Sequence, residues 1–239
     1  MQSRTFTTIL FDLDGTLLPL DQQAFMHQYF DLFGRYCHFL GYSVDQALKG
    51  LEAGLGAMFA SDGTSTNKER FDRHFAAVSG IDSDEFNVRF APFYDETFNQ
   101  IKETSSATGL SRTIVEELGA KGYELVLATA PLFPWQATHA RLKWAGLEPE
   151  MFTVITTYEH CHYTKPALEY YQNLLKEIGR QPQECLMVGN DVQEDLVVSS
   201  LGMEAYLVTD CLINRDSTPV ESFAQGSLAE FYQYAKERL

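Results

Sequence analysis

The spacing of apolar residues changes character along this chain of 239 residues. Phe6 to Phe11 (FTTILF) are aromatic, β-branched or aliphatic throughout, which predicts a strand buried on both faces. Beyond Leu18-Pro19-Leu20 the rhythm becomes helical. Phe25, Tyr29, Phe33, Tyr36 and Leu40 fall three or four apart, and so do Leu48, Leu51, Leu55 and Met58. Phe71, Phe75 and Val78 repeat the spacing, as do Phe86, Phe90, Tyr94, Phe98 and Ile101. Each set marks one face of a helix. Gly41, Asp62-Gly63 and Gly80 separate them, so Asp21 to Ile101 reads as four helices with no strand between.

A polar linker, Glu103 to Gly109, ends this block, and strand then alternates with helix. Ser111 is placed to cap a helix reaching about Ala120, with Lys121-Gly122 ending it. Strands are predicted at Tyr123–Thr129, Phe152–Thr156, Cys185–Val188 and Ala205–Thr209. Helices are predicted over about Pro134–Ala145, Ala167–Ile178, Gln193–Leu201 and Leu228–Arg238. Such alternation means an α/β fold: a parallel sheet with helices on both faces. Sheets of this kind bind ligands beyond the carboxyl ends of their strands, and the first strand ends at Asp12.

Charge narrows the partners. The formal net charge is −15, which disfavours nucleic acid and anionic membranes. A phosphorylated substrate remains compatible, because a metal or a local lysine can reverse the field inside one cleft. No apolar run reaches the roughly 18 residues of a membrane span, and the opening MQSRTFTTILF lacks signal-peptide organisation. Cys37, Cys161, Cys185 and Cys211 have no paired spacing and read as free thiols, which fits a cytoplasmic protein. A monomer is the default expectation.

Four stretches carry candidate chemistry: Asp12-Leu13-Asp14-Gly15-Thr16-Leu17, Thr129 closing the second strand, Lys165-Pro166 before a helix, and Gly189-Asn190-Asp191 with Asp195 four residues on. In this order they resemble the haloacid dehalogenase-like hydrolase superfamily, in the branch with a helical cap inserted after the first motif. The resemblance implies a Rossmann-like, doubly wound core over residues 1–18 and 103–239 and an all-α, four-helix cap domain over 19–102. It also implies a covalent route in which Asp12 attacks phosphorus. Asp14 would protonate the leaving oxygen and later accept a proton from water. Thr129 and Lys165 would hold the phosphoryl oxygens, with Ala130 beside them where relatives often carry Asn.

Two carboxylates about 4 Å apart repel by about 4 kcal/mol at an effective dielectric near 20. A hard dication relieves this, and Mg²⁺ prefers oxygen ligands. The expected ligands are the Asp12 side chain, the Asp14 backbone carbonyl and Asp191. Asn190 is the competing position, and Asp195 is a water-bridged partner. His160 and His162 flank a cysteine, make a poor Mg²⁺ site and stay unassigned. Arg35, Lys49, Arg70 and Arg73 read as solvated helix faces that could also meet the far end of a substrate.

The expected activity is therefore a Mg²⁺-dependent phosphatase for a small phosphorylated metabolite. The alternatives are a phosphomutase of the same fold, a metal-independent 2-haloacid dehalogenase, and a catalytically silent binding protein. The cap is expected to hinge at Leu18–Leu20 and Glu103–Gly109.

Overall fold

The computed structural model describes residues 6–239, so the reading of residues 1–5 lies outside the described residues. The strands are β1 (Thr8–Phe11), β2 (Glu124–Leu127), β3 (Val154–Ile155), β4 (Cys185–Gly189), β5 (Glu204–Val208) and β6 (Ala224–Gly226). They form one sheet in the order β3-β2-β1-β4-β5-β6, and every pairing is parallel. Alternation along each strand divides the apolar side chains between two cores. Ile9, Phe11, Leu125, Leu127, Leu186 and Val188 pack on one face. Leu10, Val126, Ala128, Cys185, Met187 and Leu207 pack on the other. Both faces being covered is why these strands read as unbroken apolar runs.

The sheet helices are α5 (Leu110–Ala120), α6 (Trp135–Trp144), α7 (Leu168–Ile178) and α8 (Leu228–Arg238). Two expectations fail here. Ser111 lies inside α5, whose N-cap is Gly109, and its hydroxyl instead donates to the Leu17 carbonyl at 2.5 Å. The helix predicted over 193–201 is only a 3₁₀ turn, Leu196–Leu201. Asp191 Oδ1 accepts the backbone N–H groups of Gln193 and Glu194, each at 3.0 Å, which ties this segment into a side-chain-held turn before it. The β-branched pair Val197-Val198 further weakens helix propensity. The sequence pattern predicts no strand at β6.

Between β1 and α5 lie α1 (Gln22–Phe39), α2 (Val44–Phe59), α3 (Asn67–Ser79) and α4 (Ser83–Pro92), with no strand among them. Side-chain caps start all four: Asp21, Ser43, Thr66 and Asp82. Thr66 and Glu69 form a reciprocal capping box. The periodic set Phe86 to Ile101 is not one helix. Pro92 cannot donate to the turn before it, and the chain continues as a π-helical turn (Phe93–Thr97) and a 3₁₀ segment (Phe98–Thr104). Phe98 and Ile101 are nevertheless fully buried. Val78 is not a core residue, being 52% exposed.

The chain enters and leaves this helical block side by side. Asp21 N–H donates to Thr104 O at 3.0 Å and Ser106 N–H to Pro19 O at 2.9 Å, around an antiparallel bridge between Leu20 and Ser105.

Candidate active site

Register brings the candidate residues to one edge of the sheet. β1 lies between β2 and β4, with Phe11 opposite Leu127 and Val188. Asp12 N–H then donates to Val188 O at 2.9 Å, and Ala128 N–H to Phe11 O at 2.8 Å. Asp12, Thr129 and Asn190 thus follow three neighbouring strand ends. Asp12, Asp14, Thr129, Ala130, Asn190, Asp191 and Asp195 all line one cavity of about 440 Å³ that runs up among the helices of the block.

Lys165 joins them from behind. It is 1% exposed, and its Nζ donates to Asp12 Oδ1 at 2.8 Å and to Asp195 Oδ1 at 2.6 Å. The Lys165–Pro166 bond is cis. Burial disfavours the ammonium, but Asp12 and then Asp195 outweigh it and hold Lys165 well above its usual range. Burial likewise pushes the Asp12 carboxyl up to about 8 against the pull of Lys165, with Asp195 and Asp14 adding to the rise. Asp195 Oδ2 accepts the Asp191 N–H at 3.0 Å, so both its oxygens are engaged inside the protein.

Asp14 stands in a different environment. Its Oδ2 is ion-paired with Arg141 of α6, a guanidinium 1% exposed, while its Oδ1 is buried without a partner. Arg141 is held in turn by Ala137 O and Thr138 Oγ1, each at 3.2 Å, and lies over the Phe133 ring. Gly15, at φ +88°, turns the chain between the carboxylates and Thr16, and a Cβ there would collide with Asn190. Asn190 is spent on structure: Oδ1 accepts Thr16 Oγ1 at 2.9 Å and Nδ2 donates to Cys211 O at 2.7 Å. Gly189 lets the Asp195 carboxyl lie against the backbone, where a Cβ would overlap it.

Asp191 is 6% exposed and pairs with Arg215, whose NH2 is 2.6 Å from Oδ2. Arg215 also reaches Glu194 at 3.5 Å. Burial pushes Glu194 up to about 7 despite Lys165. Thr129 is 1% exposed, and its carbonyl accepts Thr156 Oγ1 at 2.7 Å and Tyr170 OH at 3.1 Å.

Arg141, Arg215, Glu194 and Lys68 line the cavity, and all four escaped sequence reasoning. No local pattern signals an ion pair spanning 127 positions, as between Asp14 and Arg141. Arg35 and Lys49 are paired on helix surfaces with Asp31 and Asp45. Arg70 is not a solvated residue: it is 6% exposed and pairs with Asp62 at 2.5 Å. Neither Arg70 nor Arg73 lines the cavity. His162 shares a hydrogen bond with Gly63 O at 2.9 Å. The four cysteines are free.

The donor chemistry fits a hard dication. Six carboxylates line the cavity (Asp12, Asp14, Glu159, Asp191, Glu194, Asp195) against three cationic side chains (Lys68, Arg141, Arg215). One Asp14 oxygen is buried without a partner, and Asp12 is costly to ionise unaided. Among the described residues no three acidic, imidazole or thiol groups form a ready-made ligand set. Mg²⁺ does not require one, since waters and phosphate oxygens complete its shell around one or two carboxylates.

A family model for haloacid dehalogenase-like hydrolases matches residues 6–197. The chain belongs to this family. It is an α/β hydrolase with these strand-end carboxylates at its sheet edge. Among curated relatives, pyrophosphatase PpaX of Bacillus cereus (strain AH820) is 26% identical over 193 residues, covering 80% of this chain and 76% of the relative. Among solved structures, a HAD phosphatase from Thermococcus onnurineus superposes with a TM-score of 0.57 at 22% identity, covering 98% of this chain and all of the other. A 2-haloacid dehalogenase from Pseudomonas syringae pv. Tomato gives 0.62 at 17% identity, covering 97% and 99%. At these identities the structural likeness speaks for the fold. Among the described residues, no helix is long and apolar enough to cross a membrane.

Proposed function

We propose that this hydrolase is a Mg²⁺-dependent phosphatase acting on a small phosphorylated metabolite through an aspartyl-phosphate intermediate. The observation that carries this reading is a pair of carboxylates held in two different ways at one cavity floor. Asp12 sits against Lys165, and Asp14 against Arg141. Attack on carbon by a dehalogenase has no use for the second carboxylate. Attack on a phosphate ester does, because an alkoxide must leave with a proton. The PpaX relatives support phosphoryl chemistry as the class.

Asp12 attacks phosphorus, forming the Asp12–phosphoryl bond as the ester P–O bond breaks. Asp14 delivers its proton to the departing oxygen, and the alcohol leaves. Water then enters where the alcohol stood. Asp14 takes its proton as the water oxygen attacks phosphorus, releasing phosphate and restoring Asp12. Lys165 counters charge on Asp12 and the phosphoryl group, and Asp195 fixes Lys165. Thr129 and Ala130 border the phosphoryl position. Arg141 sets the direction of Asp14. The Asp12 side chain, the Asp14 carbonyl and Asp191 would hold Mg²⁺, with Asp191 exchanging its Arg215 contact for the ion. Bound there, the ion supplies positive charge that lowers repulsion between the nucleophile and the phosphate.

The helical block, residues 19–102, acts as a cap that swings on the paired crossings at Leu20 and Ser105 and excludes water during transfer. Free thiols throughout fit a cytoplasmic setting. The test is phosphate release from a panel of monoesters with and without Mg²⁺, alongside Asp12→Asn. Release that needs Mg²⁺ and vanishes in Asp12→Asn is expected. Turnover retained in Asp12→Asn, or chloride freed from a 2-haloacid in EDTA, overturns the reading.

A further inference from the structure

The cavity above Asp12 is far larger than a phosphate requires, and most of the side chains on its wall are apolar. At about 440 Å³ it falls within the range for drug-sized ligands. Phe25, Met26, Leu51, Leu55, Phe71 and Phe90 line it above the carboxylates. Among the polar groups on the wall, Lys68 and Asn87 are engaged within the protein, while Gln22, Gln136 and Tyr158 also line the cavity and Glu159 Oε2 is buried without a partner. Lys68 is ion-paired with Asp72, and Asp72 also accepts Asn87 Nδ2 at 3.1 Å. Arg141 and Arg215 face Asp14 and Asp191. Each cation on the wall thus already has a carboxylate. A second phosphate or a carboxylate on the leaving group would find each of these cations already paired with a carboxylate. The apolar surface also continues outward. A shallow groove shares Leu55 and Phe59 with the cavity and extends to Phe30 and Leu48, where Phe59 is 54% and Phe30 39% exposed.

We infer that the substrate is the monophosphate ester of an uncharged, apolar alcohol or phenol whose body fills this aromatic cavity. The inference rests on the phosphatase reading and names the leaving group. It sets this chain apart from the relatives named for pyrophosphate. Overall, the ester and one water give the free alcohol and inorganic phosphate, and no further reactant is needed.

The experiment uses the full chain with Mg²⁺ and n-alkyl monophosphates from ethyl to octyl, together with phenyl phosphate, glycerol 3-phosphate, phosphoglycolate and pyrophosphate. Burying one methylene predicts a rise in kcat/KM of about fourfold per added carbon until the cavity is full. The three polar or doubly anionic compounds fall below the butyl ester. Non-hydrolysable n-alkylphosphonates, followed by calorimetry, should tighten by a similar factor per carbon, and Leu55→Ser should flatten both series. Phosphate release with no dependence on chain length overturns the inference and leaves the phosphatase reading intact. Phosphonate binding that tightens with chain length, with no ester hydrolysed, keeps the apolar site and removes the phosphatase. Neither binding nor turnover overturns both.

Discussion

Replacing Lys165 by methionine isolates the electrostatics of the site. The ammonium is 1% exposed and lies 2.8 Å from Asp12 Oδ1 and 2.6 Å from Asp195 Oδ1. At an effective dielectric near 20 and at these separations, each contact is worth about 6 kcal/mol, so about 12 for the two. Removing an ammonium from the interior also recovers several kcal/mol of desolvation. The net loss on breaking such a buried network is about 3–5 kcal/mol. For a chain of 239 residues this is a fall in Tm of about 6–20 °C. The loss depends on pH in a fixed direction. Lys165 is what restrains the rise of the Asp12 carboxyl, so its removal drives that carboxyl further up. At pH 8 the wild-type carboxyl is partly ionised against Lys165 while the variant's stays protonated, so the penalty is larger at pH 8 than at pH 5. Urea unfolding of metal-free wild type and Lys165→Met at both pH values measures it. A loss below about 1 kcal/mol at pH 8, or a larger loss at pH 5, refutes the view that Lys165 neutralises buried carboxylates.

Three more outcomes are expected. Asp12 and Glu194, at about 8 and about 7 against ordinary values of 3.8 and 4.5, bind protons more tightly folded than unfolded. Their contribution to stability is whole below about pH 4 and is lost as pH rises through 7 and 8, so urea midpoints of the metal-free protein should fall between pH 5 and 8.5. Arg141→Gln leaves Asp14 unaimed and should lower kcat about 100-fold with a smaller change in KM, read with phenyl phosphate; a kcat within twofold of wild type contradicts the positioning role. Gly189→Ala puts a methyl group into the Asp195 carboxyl and should cost about 1–3 kcal/mol in chemical denaturation, whereas an unchanged midpoint means that Asp195 has room to move.

Sequence reading works here wherever one physical cause dominates locally. β1, β2, β4 and β5 are legible because both faces are buried and polar residues stand only at first positions, Thr8, Glu124 and Glu204. Asp12 and Asp14 are legible because charge at the end of such a run has no packing explanation. Strand β6 is not: Ala224-Gln225-Gly226 has no β-branched or aromatic residue, and pairs only because β5 offers it an edge. Helix prediction fails at 193–201 because Asp191 takes the first backbone donors with its side chain. It fails at Pro92 because a missing N–H outweighs an unbroken aromatic stripe. Arg141 and Arg215 are invisible for another reason. Their meaning lies in the carboxylates they face across the cavity, and nothing in their own helix or loop marks them.

The bridge between Leu20 and Ser105 has an evolutionary corollary. A segment of more than eighty residues departs and returns through a single doorway, so its length and contents can change without shifting the register of any sheet strand. A change in which ligand the helical block admits therefore needs no change at the strand-end carboxylates beneath it.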